Sequence, residues 1–451
     1  MTAWTIPCLL AVALAVLRPR TYPVLQALAG LTPAGAALVV GGASVPTFYF
    51  VAMAAPVVLL LDALRADHEP RRMPVSTPGV RPLVGLLVWA VVATAVAPVL
   101  FPGTQVWSSA FDSTTLEPGS LDQSSIAQVV YLALSVCVVV AFARMAPQDL
   151  RPLWIIAGGV VALALWRLSS VNLGVPFPAG LFDNNTSYRF IEGLPGGGTR
   201  FRGTLSEPAS LATIALGSVA LFAFSAGRTR GAPRFAFTVA AGVSLWMGLA
   251  SGAATFILSA SVFAGLLVAF FAVRWIAGRP ESTGVLASMH ALLIVGVLAS
   301  GALISAVAAV VEDKVASDSY TERSGLDGLA LQILLRTDGL GAGLGTHRPS
   351  SLVAALASNL GVPGLLLFVA VFATVLWSAR QSTDALPSVA LLVALLTAKI
   401  ISGPDLNDTS GLLWIGLGVA AGAGRIRRRC PAHPLAPPAA PVVPARVEVA
   451  T

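Results

Sequence analysis

Arg200, Arg202 and Glu207 stand close together in the stretch TRFRGTLSEPASLATIALG at 199–217, at the mouth of a long apolar run. A guanidinium presents a planar fork of N–H donors that matches phosphate oxygens two at a time. A carboxylate beside such a fork can orient a hydroxyl or take its proton. Glu207 has a second reading. It precedes Pro208, which suits a first helical turn, and a glutamate is favourable at the positive end of a helix. Capping needs no arginine pair, so Arg200 and Arg202 call for something negative nearby.

A second group lies in VEDKVASDSYTERSGLDGLALQILLRTDGLGAGLGTHRPSS at 311–351. Ser324 to Asp327 resembles a capping box, and Leu326, Leu329, Ala330, Ile333 and Leu334 follow at helical spacing. This predicts a short amphipathic helix on the membrane surface, with Arg323 just before its start and Arg336 at its end. Arg336 suits the negative C-terminal turn, whereas Arg323 is at the wrong end for a cation unless Glu322, Asp318 or a ligand offsets it. GLGAGLG at 339–345 follows a helix and lacks the strand that a dinucleotide fingerprint requires. Its glycines are read as a tight backbone passage. His347 is a proton carrier or an interfacial polar residue, and a lone histidine favours the second.

The elements that must position these residues are membrane spans. The chain has 451 residues, 56% hydrophobic and 11% charged, with a mean hydropathy of +0.82. Most apolar runs are about 20 residues long, the length of a helix across about 30 Å of hydrocarbon. Spans are expected near 3–17, 22–42, 46–64, 82–101, 124–144, 152–172, 207–226, 235–250, 253–273, 285–310, 351–378, 386–402 and 411–424. The 22–42 run is the weakest, interrupted by Gly30, Pro33 and Gly35. The expected fold is all-α: a polytopic transmembrane helical bundle of about 12 or 13 spans over 1–424. Residues 425–451 read as a basic, then Pro/Ala-rich, disordered cytoplasmic tail.

Most of the 28 basic residues fall on one side of this threading, which is therefore cytoplasmic and holds the C-terminus. The outer basic residues cluster in two loops: Arg189, Arg200 and Arg202 in about 173–206, and Lys314, Arg323, Arg336 and Arg348 in about 311–350. Arginine is disfavoured outside, so this clustering suits a phosphate-bearing lipid headgroup. Arg167 and Lys399 lie near the outer ends of their spans. Intramembrane charge is functional by default, but long side chains also snorkel; Lys399 is read as snorkelling and Arg167 as open. PDLND at 404–408 reads as a solvated loop.

Cys8, Cys137 and Cys430 offer neither a disulfide framework nor a metal cage. The pI near 9.9 reflects cytoplasmic loop charge, so no nucleic-acid partner is expected. The N-terminal arginines follow the apolar run, opposite to a cleaved signal. There is no internal repeat and no soluble domain.

Arg200-x-x-Gly203-x-x-x-x-Pro208, Ser319-x-x-x-Arg323, Gly341-Ala-Gly343-Leu-Gly345 and SSLVAALASNLGVPGLLLF at 350–368 together resemble the O-antigen polymerase and ligase family. The resemblance covers about residues 150–380. It implies a metal-independent, cofactor-free membrane glycosyltransferase of polysaccharide biosynthesis in the bacterial cytoplasmic membrane. Its partners would be a polyprenyl-pyrophosphate-linked oligosaccharide, an acceptor glycan, membrane lipid, and chain-length or export proteins. The family's ligases place a histidine before Gly-x-x-Gly where this chain has Ser350, followed by Ser351. His347 comes three residues early, which favours polymerase over ligase. By resemblance and placement, Arg200, Arg202 and Arg323 would hold the pyrophosphate and Glu207 would act on the acceptor. Arg167, Arg189, His347, Arg348, Ser350 and Ser351 would contact substrate. A transporter or flippase of lipid-linked sugars is the other class, expected to show interrupted helices in matching halves.

Overall fold

The computed structural model describes residues 1–66, 77–107, 113–188, 190, 192, 200–276, 318–380 and 382–429, without the side chains of 274, 318–323 and 426–429. Among these, α1 (Thr5–Leu17), α2 (Tyr22–Ala29), a hairpin of β1 (Ala36–Val40) and β2 (Ala43–Pro46), α3 (Thr47–Ala52) and α4 (Ala54–Ala66) open the chain. Then come α5 (Val80–Leu100), a second hairpin of β3 (Gln105–Trp107) and β4 (Ser113–Thr115), α6 (Gln123–Met145), α7 (Arg151–Leu173) and the single turn α8 (Ala179–Phe182). The rest comprises α9 (Pro208–Ala226), α10 (Ala232–Ala250), α11 (Ala254–Ile276), α12 (Asp318–Arg336), α13 (Leu352–Ala379), α14 (Leu386–Ile401) and α15 (Leu412–Arg429). The expected all-α polytopic bundle is the observed one. Eight helices among the described residues are long and apolar enough to cross a membrane.

Helix ends sort into two groups. At one end, Trp4 Nε1 donates to Leu181 O, Ser44 Oγ pairs with Thr186 Oγ1, and Arg348 N donates to Trp107 O. Asn407 Nδ2 donates to Gln128 Oε1 at the same end. At the other end, Arg228 contacts Thr383 and Asp384, and Gly79, Gly422 and Gly424 close on Val375, Pro147 and Ser378. The first group, called here the site end, gathers the loops before α9 and before α13. The expected span at 285–310 and the tail beyond 429 lie outside the described residues.

α15 is the hub, buried from Leu412 to Gly424. Gly418 and Gly422 let it approach α6: a Cβ on Gly418 would stand 2.8 Å from the Phe142 Cβ, and one on Gly422 2.9 Å from Pro147. Small residues four apart are the usual device for close helix contact in lipid. Val88, Val91 and Val92 on α5 and Val262 and Leu266 on α11 are exposed, as lipid-facing surfaces require.

Three expectations change. Residues 22–42 are not one helix: α2 ends at Ala29, and the crossing is completed by buried irregular chain and β1. Non-helical backbone is tolerated at such depth where protein surrounds it, and Thr47 Oγ1 donates to Ala29 O while Asn184 Oδ1 accepts from Ala36 N. α12 begins by Asp318, so Ser324 and Asp327 lie inside the helix rather than capping it, and Arg323 does not precede its start. α13 is interrupted at Gly361, with φ 65 and ψ −166, two residues before Pro363.

The α13 break explains the glycine-rich segment. The carbonyls of Ser358 and Asn359 lose their helical donors and accept instead from Ala342 N at 2.8 Å and Gly343 N at 2.9 Å. Gly341 has φ +87, and a Cβ there would meet Asn359 O and Gly361 N, each at 2.6 Å. The 339–345 stretch is thus a backbone plug seated in a broken helix, consistent with a tight passage and unrelated to nucleotide binding.

Candidate functional site

The plug carries residues 346–351 across the site end. Asn359, just before the break, accepts from His347 N at 2.9 Å through Oδ1 and donates to His347 O at 2.8 Å through Nδ2. His347 is 2% exposed. Trp107 N donates to its Nδ1 at 3.2 Å, so the proton sits on Nε2, which faces Leu326 O at 3.1 Å. Burial lowers its affinity for a second proton, against the Leu326 carbonyl and Asp327. The histidine is a buried, neutral bridge between β3 and α12 rather than an exposed interfacial residue.

Ser350 and Ser351 are likewise engaged. Ser350 N donates to Asp327 Oδ1 at 2.8 Å and its hydroxyl to Oδ2; the acid read as a cap thus ties α12 to the start of α13. Ser351 Oγ caps α13, accepting from Ala354 N at 3.3 Å.

Arg348 is placed differently. Its Nη2 lies 3.5 Å from Glu207 Oε1 and 3.2 Å from Asp405 Oδ2, with the three side chains partly exposed. Glu207 occupies the N-cap position of α9 but makes no capping bond; the carboxylate turns to Arg348 instead. Asp405 raises the proton affinity of Arg348, burial opposes it and Glu207 adds to it, so the guanidinium stays charged. Tyr188 is a further neighbour, its phenol held protonated chiefly by burial. Beside this triad runs a narrow cleft with about 30 Å³ of room, bounded by Gln128, Gly345, His347, Arg348, Asn359 and Asp405 among others.

A second charged cluster lies at the first loop. Asp183 takes Arg167 Nη1 at 2.8 Å and Arg202 Nη2 at 2.7 Å; Glu192 takes Arg167 Nη2 at 2.8 Å and Arg202 Nε at 2.6 Å. Arg202 Nη1 also donates to Leu205 O at 2.7 Å, and its guanidinium stands 4.6 Å from the Phe190 ring centroid. Arg202 is 4% exposed, with four of its five N–H groups engaged within the chain. Two cations and two anions close on themselves, which stiffens the loop and satisfies both arginines.

Arg200 is exposed at the mouth of α9, its backbone N–H donating to Glu192 O at 2.7 Å and its side chain reaching Gly252 between α10 and α11. Arg189 and the side chain of Arg323 lie outside the described residues. Lys399 Nζ donates to Asp405 O at 2.9 Å, so it supports the 404–408 loop rather than merely snorkelling. Asp408 accepts from Ser410 N, Ser410 Oγ and Leu413 N and caps α15. No group of three or more His, Cys, Asp or Glu suited to a metal occurs among the described residues.

The structure therefore joins Glu207 and Arg348 from the two loops singled out by their arginines. It adds Asp405, which sequence reasoning left in a solvated loop, and Asp183 and Glu192, to which it gave no role. The mixture of acids and arginines in the loops at 173–206 and 404–408 was the available signal for them. Set against known proteins, the chain matches no family model and no curated protein by sequence, so function rests on the geometry of this end of the bundle.

Proposed function

We propose that the chain is a glycan polymerase of the bacterial cytoplasmic membrane. It would transfer a polyprenyl-pyrophosphate-linked saccharide to another glycan at the outer face, with the C-terminus inside. The observation that carries this reading is the convergence of the two arginine-bearing loops, with Glu207 turned away from its helix cap and onto Arg348. Glu207 takes the proton of an acceptor hydroxyl. The hydroxyl oxygen forms its bond to the anomeric carbon as the bond to the pyrophosphate breaks, and the electron pair leaves with the pyrophosphate. Arginines stabilise that charge without a metal; Arg200, exposed at the mouth, and Arg323 are the donor-side candidates. Arg202 and Arg167 serve by holding the first loop in shape.

A transporter of lipid-linked sugars would use interrupted helices to expose backbone carbonyls to its cargo. Among the described residues two crossings are interrupted, at 30–36 and at Gly361. At the second, the carbonyls of Ser358, Asn359 and Leu360 are already taken by Ala342 N, Gly343 N and Trp89 Nε1. A sealed break favours a scaffold role and so favours transfer over transport.

Lipid-linked glycans from a deletion strain, complemented with wild type or Glu207→Gln, test the proposal. Single repeat units on the outer leaflet are expected without the gene and with the variant, and long chains with wild type. Units trapped on the inner leaflet would instead mark a flippase. Loss of one group acting on the transition state costs about 10²–10³ in rate, enough to shift product from polymer to single units.

A further inference from the structure

We propose that the end of the molecule opposite the site end holds an anionic phospholipid, its phosphate seated between Arg151 of α7 and Arg234 of α10. This is a different face from the transfer site, and the proposal does not depend on that reading.

Both helices begin at this end, and each carries an arginine in its first turn. Arg151 opens α7, and Arg234 is the third residue of α10. Three residues further along each helix stand Trp154 and Phe237, whose ring centroids are 4.8 Å apart. Three residues of helix rise about 4.5 Å, so both arginines stand one turn outward from the same aromatic contact. That contact is fixed from behind by α9: Trp154 Nε1 donates to Ser225 Oγ at 3.1 Å, and the Phe222 ring lies 6.2 Å from that of Phe237. Two guanidiniums from different helices are therefore held at one level, side by side.

Neither is neutralised within the chain. Arg151 has an 80% exposed side chain and only the Asp149 carboxylate, at 4.0 Å. Arg234 and the neighbouring Arg230 are exposed and make no ion pair or side-chain hydrogen bond among the described residues. Arg228, from the same connection, is by contrast tied to Asp384 and Thr383. A first helical turn is the positive end of its dipole, where a cation is disfavoured unless an anion joins it.

The surroundings choose the anion. Phe235, 73% exposed, and Val239, 48% exposed, follow along α10, so the arginines border a surface suited to acyl chains. A guanidinium takes two phosphate oxygens at once, and interfacial arginines draw acidic lipids. An anionic phospholipid matches both the cations and the apolar flank. Free phosphate matches only the cations, and a zwitterionic lipid brings its own ammonium against them.

The test titrates the full chain in detergent with dioleoylphosphatidylglycerol, dioleoylphosphatidylcholine or inorganic phosphate. Bound lipid is counted by native mass spectrometry, and melting temperature is followed in parallel. Wild type should retain phosphatidylglycerol saturably and melt higher with it, and do neither with the other two. Arg151→Gln and Arg234→Gln should each weaken retention about fivefold. Arg81→Gln is the control: Arg81 is exposed in the first turn of α5, where no ring contact ties the turn to another helix among the described residues. It should retain phosphatidylglycerol as wild type does, and without lipid all three variants should melt with wild type. Equal retention of phosphatidylcholine, or a melting shift from phosphate alone, overturns the lipid assignment. A loss in Arg81→Gln as large as in Arg151→Gln reduces the site to a general basic face and overturns it too. So does a lower lipid-free melting temperature in Arg151→Gln or Arg234→Gln, which would make those arginines structural.

Discussion

Arg202 is a buried guanidinium whose charge is balanced inside the chain, and that fixes what its loss would do. Removing one member of a buried ionic cluster costs about 3–5 kcal/mol because the partners stay buried and uncompensated. Asp183, 14% exposed, keeps Arg167 as a second partner, which puts the expected cost at the lower end. Arg202→Ala should therefore reduce the amount of protein in the membrane and its melting temperature in detergent. Arg202→Lys, which keeps charge but loses the planar fork, should fall between. Normal accumulation of an inactive Arg202→Ala protein would instead return Arg202 to the list of ligand-binding groups. An arginine pair beside an apolar run announces a nearby anion, and that much was legible. Whether the anion is Asp183 and Glu192 or a bound pyrophosphate is a matter of loop geometry that spacing does not encode. Glu207 carried the same ambiguity between cap and base until its carboxylate was seen on Arg348.

At the scale of elements, the α13 break and the glycine plug form one unit. Gly341→Ala would place a methyl 2.6 Å from backbone atoms of Asn359 and Gly361 at φ +87, combining left-handed strain of about 1–2 kcal/mol with overpacking of about 1–3 kcal/mol. Gly119→Ala, at φ +79 with open space around it, carries the strain alone. The difference in melting temperature between the two variants measures the seal, and equal shifts would mean the plug does not bear on α13. The lengths of α5, α6, α7 and α9 were readable because hydrocarbon thickness sets them. The interruption at Gly361 was not, since glycine and proline are common in continuous transmembrane helices and the donors that permit the break come from another segment. The amphipathic helix was found, but its start was misplaced, because Asp327 answers to Ser350 rather than to its own backbone.

For the whole molecule, the sorting of helix ends into two groups makes sidedness testable. Ser120→Cys at the site end and Arg230→Cys at the other are both exposed. In a chain freed of native cysteines, a membrane-impermeant maleimide should label the first in intact cells and the second only after permeabilisation. The reverse pattern would put the triad in the cytoplasm and remove the acceptor chemistry proposed for Glu207. The alternation of ends was legible from hydropathy and arginine placement, since each apolar run must return the chain to the opposite face. The crossing at 22–46 also has a consequence for biosynthesis. The Ala36 amide is satisfied by the Asn184 side chain. That partner is synthesised long after the segment leaves the ribosome, and hydrocarbon cannot substitute for it. The second crossing therefore reaches its final place only once the loop after α7 has been made, so that an early part of the chain settles after several later ones.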